Sequence, residues 1–168
     1  MSIIVNTTVL SNFAAIVQLD LLRRLYGHIY IPTEVYQEIR VGLEEGYRFY
    51  QGIDRLIHPL AEEGWIRLIG VSEEDELRLF DELLQRLHQG EAACLVIAHH
   101  RDWVLLTDDL AARREADRLG VRKSGSVGCL VLSVERGLCT LEEANRWLSE
   151  MIAQDYRSPV TDLTPLLG

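Results

Sequence analysis

Three observations predict that this chain forms an α/β fold, a parallel sheet between two helical layers. Short β-type apolar runs alternate with longer amphipathic segments along its length. Two of those runs stop abruptly at polar residues, in "IIVNTT" and in "VLLTDD". No internal repeat, low-complexity tract or Gly/Ser linker breaks the alternation, so residues 1–168 are read as a single domain. Alternation implies parallel pairing, because each crossover helix returns the chain to begin the next strand in the same direction.

The first strand is Ile3–Val5, and Thr7 and Thr8 are expected to cap the helix after it. The second is "HIYIP", stopped by Pro32, and leads into a helix whose buried stripe is Val35, Ile39 and Leu43. A third strand is expected at Trp65–Val71. Behind it Leu77, Phe80, Leu83, Leu84 and Leu87 recur at helical spacing, with Ser72 and Asp75 as a capping pair. "QGEAACLVIAHH" reads as a nearly buried helix, Asp102–Thr107 as the fourth strand, and "VRK" after Gly120 as a short fifth. Thr140 and Glu143 form a T-x-x-E box ahead of Leu141, Ala144, Trp147, Leu148 and Met151. The tail "YRSPVTDLTPLLG" is apolar without periodicity; covering its own sheet and joining an assembly are both open.

Composition narrows the function. Hydrophobic residues at 48% and charged residues at 26% belong to a soluble globular chain and exclude a disordered one. No apolar run approaches the roughly 18 residues of a membrane span, so no membrane partner is expected. No leader pattern precedes the first strand, and Cys94, Cys129 and Cys139 are odd in number without C-x-x-C spacing. A reducing, cytoplasmic setting is expected, with the cysteines as small core residues. The net charge of -9 argues against coating nucleic acid by bulk electrostatics, yet leaves room for an enzyme that engages it locally. The five histidines show no H-E-x-x-H or paired zinc spacing.

In parallel α/β sheets, ligands bind beyond the carboxyl ends of the strands. Asn6 closes the first strand; Asp108 and Asp109 close the fourth. Glu38 lies about 60° from the centre of its helix's buried stripe, at roughly 100° per residue, so it borders the core. Glu91 opens the apolar helix. Each has an ordinary explanation: Asp108 or Asp109 as an N-cap, Glu91 as a first-turn acid facing the helix dipole, Glu38 as a surface residue. As a set they place an oxygen donor at each corner of the expected pocket, which is what a hard cation such as Mg2+ or Mn2+ requires.

These residues carry a resemblance. "IIVNTTVL", the Glu of "VYQEI", "GEAACLVIAHH", "LLTDD" and "RLGV" followed by "SGSVG" resemble, in order and spacing, the PIN-domain nucleases. The closest likeness is to VapC-like toxins whose first motif reads N-T-[ST]-x-L, and it spans nearly the whole chain, Glu44–Glu63 least. The resemblance implies a PIN-like α/β/α fold and a Mg2+- or Mn2+-dependent endoribonuclease acting as the toxin of a toxin–antitoxin pair. It assigns catalysis to Asn6, Glu38, Glu91 and Asp109, and metal binding to the same four with Asp108 as a possible substitute. It implies an RNA substrate, a cognate antitoxin and a homodimer.

Asn6 departs from the pattern, since most members carry aspartate there. An amide keeps one carbonyl oxygen for a cation but removes a charge, so a PIN module that binds RNA or a protein without cleaving stays open as the alternative. A phosphotransferase with an aspartate nucleophile after the first strand is excluded, because "NTT" supplies none. RNA contacts are expected from Thr7, from Arg113, Arg114, Arg118 and Lys123 in "RREADRLGVRK", and from Ser126 at a helix start. The competing reading of the basic stretch is a solvated face with its arginines paired to Glu115 and Asp117.

Overall fold

The computed structural model describes all residues, Met1–Gly168. Its six-stranded sheet is parallel throughout, in the order β3-β4-β2-β1-β5-β6. The strands are β1 (Ile3–Val5), β2 (Ile29–Pro32), β3 (Ile57–His58), β4 (Ile66–Ile69), β5 (Val104–Leu106) and β6 (Lys123–Ser124). The helices are α1 (Thr7–Ala15), α2 (Asp20–Tyr26), α3 (Thr33–Glu44), α4 (Glu74–Leu83), α5 (Gln89–Arg101), α6 (Leu110–Leu119), α7 (Ser126–Glu135) and α8 (Leu141–Ala153). Helices α3 to α6 pack side by side as one layer, and α1, α2, α7 and α8 form the other. The expected three-layer α/β/α fold is the fold observed.

The centre of the sheet is apolar on both faces, as parallel strands between two helical layers must be. Ile3, Ile4, Val5, Ile29, Ile31, Leu105 and Leu106 are all buried. Helix α5 crosses the sheet with Ala92 to Ala98 buried without a break, so a nearly buried helix stands where one was expected. Its last turn carries His99, His100 and Arg101, cations suited to the negative end of the helix dipole.

Several local expectations need correction. β3 has no counterpart among the expected strands: two residues are too few for periodicity, and its only partner, β4, pairs it through Ile57 and Ile66. α2 is likewise additional. The third and fourth strands are shorter than expected, and β6 lies two residues beyond the start of "VRK". Asn6, not Thr7 or Thr8, caps α1: its Oδ1 accepts from Thr7 N at 2.8 Å. Helix α4 is capped by Glu73 with Glu76 rather than Ser72 with Asp75. The physical reason is the pull of Arg101, which draws Glu76 under the helix start, where it also accepts from Ser72 N and Glu73 N. Leu77 and Leu84, placed on the buried stripe, stand at the surface. The Thr140–Glu143 box forms as expected, and Cys94 and Cys129 are buried free thiols.

Strand order fixes where a site can form. From β1 the chain goes to one side, through β2, the edge strand β3 and then β4 between them, and crosses by α4 and α5 to β5 on the other side. The gap between β1 and β5 is therefore the point where strand order reverses, the place where open α/β sheets take ligands. Register then sets the neighbours: Val5 lies opposite Leu106, so Asn6 and Thr107 leave the sheet side by side.

Candidate active site

Asn6 is 1% exposed, and both ends of its amide are used. Nδ2 donates to Thr107 Oγ1 at 3.0 Å, and Oδ1 holds the first N–H of α1. Thr107 Oγ1 also accepts from Asp109 N at 3.2 Å, so one hydroxyl ties the ends of β1 and β5 together. Asp109 is the N-cap of α6, with Oδ2 accepting from Ala112 N at 2.8 Å. Glu91 is the third residue of α5 and reaches back to His88 N. The ordinary capping roles of Asp109 and Glu91 are thus real. They also aim two helix N-termini, with their positive dipole ends, at the same space as the start of α1.

Glu38 enters from α3. Thr7 Oγ1 donates to Glu38 Oε2 at 2.5 Å, and a Cβ on residue 90 would collide with Oε1, so Gly90 is what lets the carboxylate sit against α5. Burial raises the Glu91 carboxyl above the usual carboxylate range; Asp109 and, more weakly, Glu38 push in the same direction, while the His88 N–H opposes them. Glu91 therefore lies close enough to both Asp109 and Glu38 to feel their charge. The buried Cys94 thiol is raised by desolvation first and by Glu38, Glu34 and Glu91 next. The structure does not draw three such side chains into a single coordination sphere.

Asp108 stands apart from this trio. Oδ2 accepts from Asn12 Nδ2 at 2.8 Å and Ser126 Oγ at 2.5 Å; Oδ1 accepts from Ser126 N at 2.8 Å and from the Tyr156 hydroxyl at 3.4 Å. Its own N–H goes to Thr8 Oγ1. Asp108 thus clamps α1, α7 and the tail, and both polar groups of Ser126 are committed to it. Among the basic residues, Arg113 braces the strand ends by donating to Thr107 O at 2.9 Å and Ser124 O at 3.2 Å. Arg118 pairs with Glu115 and Lys123 with Asp117, while Arg114 is exposed. Arg113 and Lys123 share a cleft with Arg157 and Tyr156 of the tail, two residues that sequence reasoning does not single out. Their approach depends on a return of the chain that leaves no local signal.

The oxygen donors suit a hard divalent cation. Mg2+ is usually held by one or two carboxylates and completes its sphere with water. Glu91 and Asp109, with Glu38 across from them, fit that mode; a cage of direct protein ligands does not fit.

Facing carboxylates and helix N-termini at the switch point of a parallel sheet place this chain among α/β domains with an acidic strand-end site. The family model DUF3368, a PIN domain, matches residues 2–167, and the chain belongs to the PIN-domain family. PIN domains are generally nucleases and typically use divalent metals. No curated protein is significantly similar to the chain.

Proposed function

We propose that the protein is a Mg2+- or Mn2+-dependent endoribonuclease whose acidic centre is Glu38, Glu91 and Asp109. The observation that carries the reading is where these three carboxylates sit at the switch point: Glu38 against Gly90 of α5, Glu91 in the first turn of α5 and Asp109 at the start of α6. Repelling acids in a half-buried pocket store an affinity for cations. Glu91 and Asp109, with Glu38 across from them, would hold a divalent cation, which would supply a water of lowered pKa and stabilise charge on the phosphate. Thr7 fixes Glu38 in orientation, and the N–H groups of Ala112 and His88 hold the carboxylates of Asp109 and Glu91 in place at the starts of α6 and α5. The reaction is hydrolysis: water oxygen bonds to phosphorus, the bond to the leaving ribose oxygen breaks, and that oxygen takes a proton.

By its motif likeness to VapC-like proteins, the protein is further proposed to be a cytoplasmic toxin with a cognate antitoxin and to form a homodimer. Exposed Val17 (86%) and Leu110 (68%) supply apolar surface for such partners to cover. No helix is long and apolar enough to cross a membrane.

Calorimetric titration with Mn2+ tests the acidic centre. The unmodified protein is expected to bind, and Glu91→Gln to bind at least tenfold more weakly; equal affinities would remove Glu91 from the site. One observation favours a second reading, an RNA- or protein-binding module without cleavage: the Asn6 amide is already engaged with Thr107 and Thr7. Metal-independent RNA binding with no cleavage under any divalent cation would select it.

A further inference from the structure

A cavity of about 600 Å3 adjoins the acidic centre and shares Thr7 and Glu38 with it. Its far wall is aromatic. Tyr47 and Phe49 are stacked, with ring centroids 5.6 Å apart and planes 26° apart, and Tyr50 backs Phe49 edge-on at 4.5 Å. Tyr50 is buried, whereas Tyr47 is 52% and Phe49 37% exposed. The close approach of Tyr47 and Tyr50 to α3 depends on Gly42, where a Cβ would stand 3.2 Å from each ring. The two stacked rings thus keep part of their apolar surface open to the cavity beside the acidic centre.

The polar groups of the cavity restrict what can enter. Its ionisable groups include Glu34, Glu38 and Glu45, and its amides are Gln37 and Gln89; it has no Lys or Arg. A phosphate would be repelled. A flat, neutral ring bearing N–H donors would stack on the rings and donate to the carboxylates. Nucleobases have that chemistry, and adenine, cytosine and guanine carry an exocyclic amine that uracil lacks. Aromatic stacking with hydrogen bonds to the base edge is how single-stranded RNA is read.

We propose that this cavity is a base subsite for single-stranded RNA: an unpaired, amine-bearing base stacks on Tyr47 and Phe49 while the adjoining phosphate lies at Glu38, Glu91 and Asp109. The proposal rests on the ribonuclease reading and names the base that the site selects, one that carries an exocyclic amine. Glu45, on the exposed rim, is the specificity-determining acceptor. Glu38 is held by Thr7 and turned toward the acidic centre.

The test is fluorescence anisotropy with labelled RNA pentamers in Ca2+, comparing a uridine pentamer with pentamers carrying one central adenosine, cytidine or guanosine. Tyr47→Ala with Phe49→Ala is expected to weaken binding of the amine-bearing pentamers roughly 5- to 150-fold, the range of one base stack. Tyr47→Phe with Phe49→Tyr keeps both stacking faces and should bind as the unmodified protein does, which separates loss of stacking from misfolding. Glu45→Gln is expected to lower discrimination against the uridine pentamer. Equal binding by the alanine variant would overturn the subsite and leave the rings to a protein partner. So would no preference over uridine, or no binding by the unmodified protein. Failure of the nuclease reading looks different: no cleavage by any variant with any cation, while ring-dependent binding persists. Failure of the subsite alone leaves cleavage intact and binding indifferent to the rings.

Discussion

Replacing Asn6 with aspartate sets two opposing effects against each other, and the structure sizes both. Asn6 is buried, and its Nδ2 bond to Thr107 disappears in the aspartate. The Thr107 hydroxyl can turn to donate instead, because its oxygen is already occupied by Asp109 N. The Thr7 N–H bond becomes charge-assisted at a helix start, a gain of about 0.3–1 kcal/mol. Against this, a fourth carboxylate joins a cluster in which Glu91 is already raised by burial, Asp109 and Glu38. Each further pKa unit by which the newcomer pushes its neighbours up costs about 1.4 kcal/mol, more than the cap returns. The net expectation without metal is a loss of about 1 kcal/mol, or roughly 2–4 °C in Tm for a chain of this size. With Mn2+ the sign reverses: a tenfold gain in affinity adds about 1.4 kcal/mol of stabilisation at saturating metal. Differential scanning fluorimetry with and without Mn2+ reads both effects. An unchanged Tm without metal, together with an unchanged metal-induced shift, would refute the placement of residue 6 beside the cation.

Away from the site, Arg101 holds Glu76 by two bonds of 2.8 Å and, aided by the N–H groups of Ser72 and Glu73 and opposed by burial, lowers its pKa from 4.5 to about 2. Because the folded value is depressed, this stabilisation of about 3 kcal/mol is present above pH 4.5 and lost as pH falls toward 2, so acid unfolding should steepen in that window. Arg101→Ala should cost about 3–5 kcal/mol at neutral pH by leaving a buried carboxylate unpaired; a loss below about 1 kcal/mol in urea titration would contradict this. In the basic stretch, neutralising Arg114, Arg118 and Lys123 should flatten the salt dependence of RNA binding by about one unit of slope for each phosphate no longer neutralised. An unchanged slope would leave Arg118 and Lys123 as partners of Glu115 and Asp117 only. Arg113→Ala should instead lower stability, since its guanidinium ties Thr107 O to Ser124 O.

The fold is legible because parallel strands and crossover helices write different periods into the sequence, and Ile3–Val5, Asp102–Thr107 and the "GEAACLVIAHH" helix carry them strongly. For the candidate site, the strand-end rule points to Asn6, Asp108 and Asp109 from the pattern alone. What stays hidden depends on neighbours distant in sequence. Nothing local distinguishes Asp108, clamped by Asn12, Ser126 and Tyr156, from Asp109, which faces Glu91. The choice of Glu73 over Ser72 as a cap follows from Arg101, 25 residues beyond Glu76. The aromatic wall lies in Glu44–Glu63, the stretch with least periodicity. Its one signal is the spacing of Tyr47, Phe49 and Tyr50 just past Gly42 and Gly46.

The most direct measurement is cleavage of a quenched fluorescent single-stranded RNA by the purified protein in Mg2+ or Mn2+, with Glu91→Gln and Asp109→Asn alongside. The expected result is metal-dependent cleavage, abolished by EDTA and reduced at least a hundredfold in either variant while their Tm without metal holds or rises. Cleavage that survives both substitutions would contradict the assignment of the acidic centre, as would metal-dependent stabilisation without any cleavage of RNA.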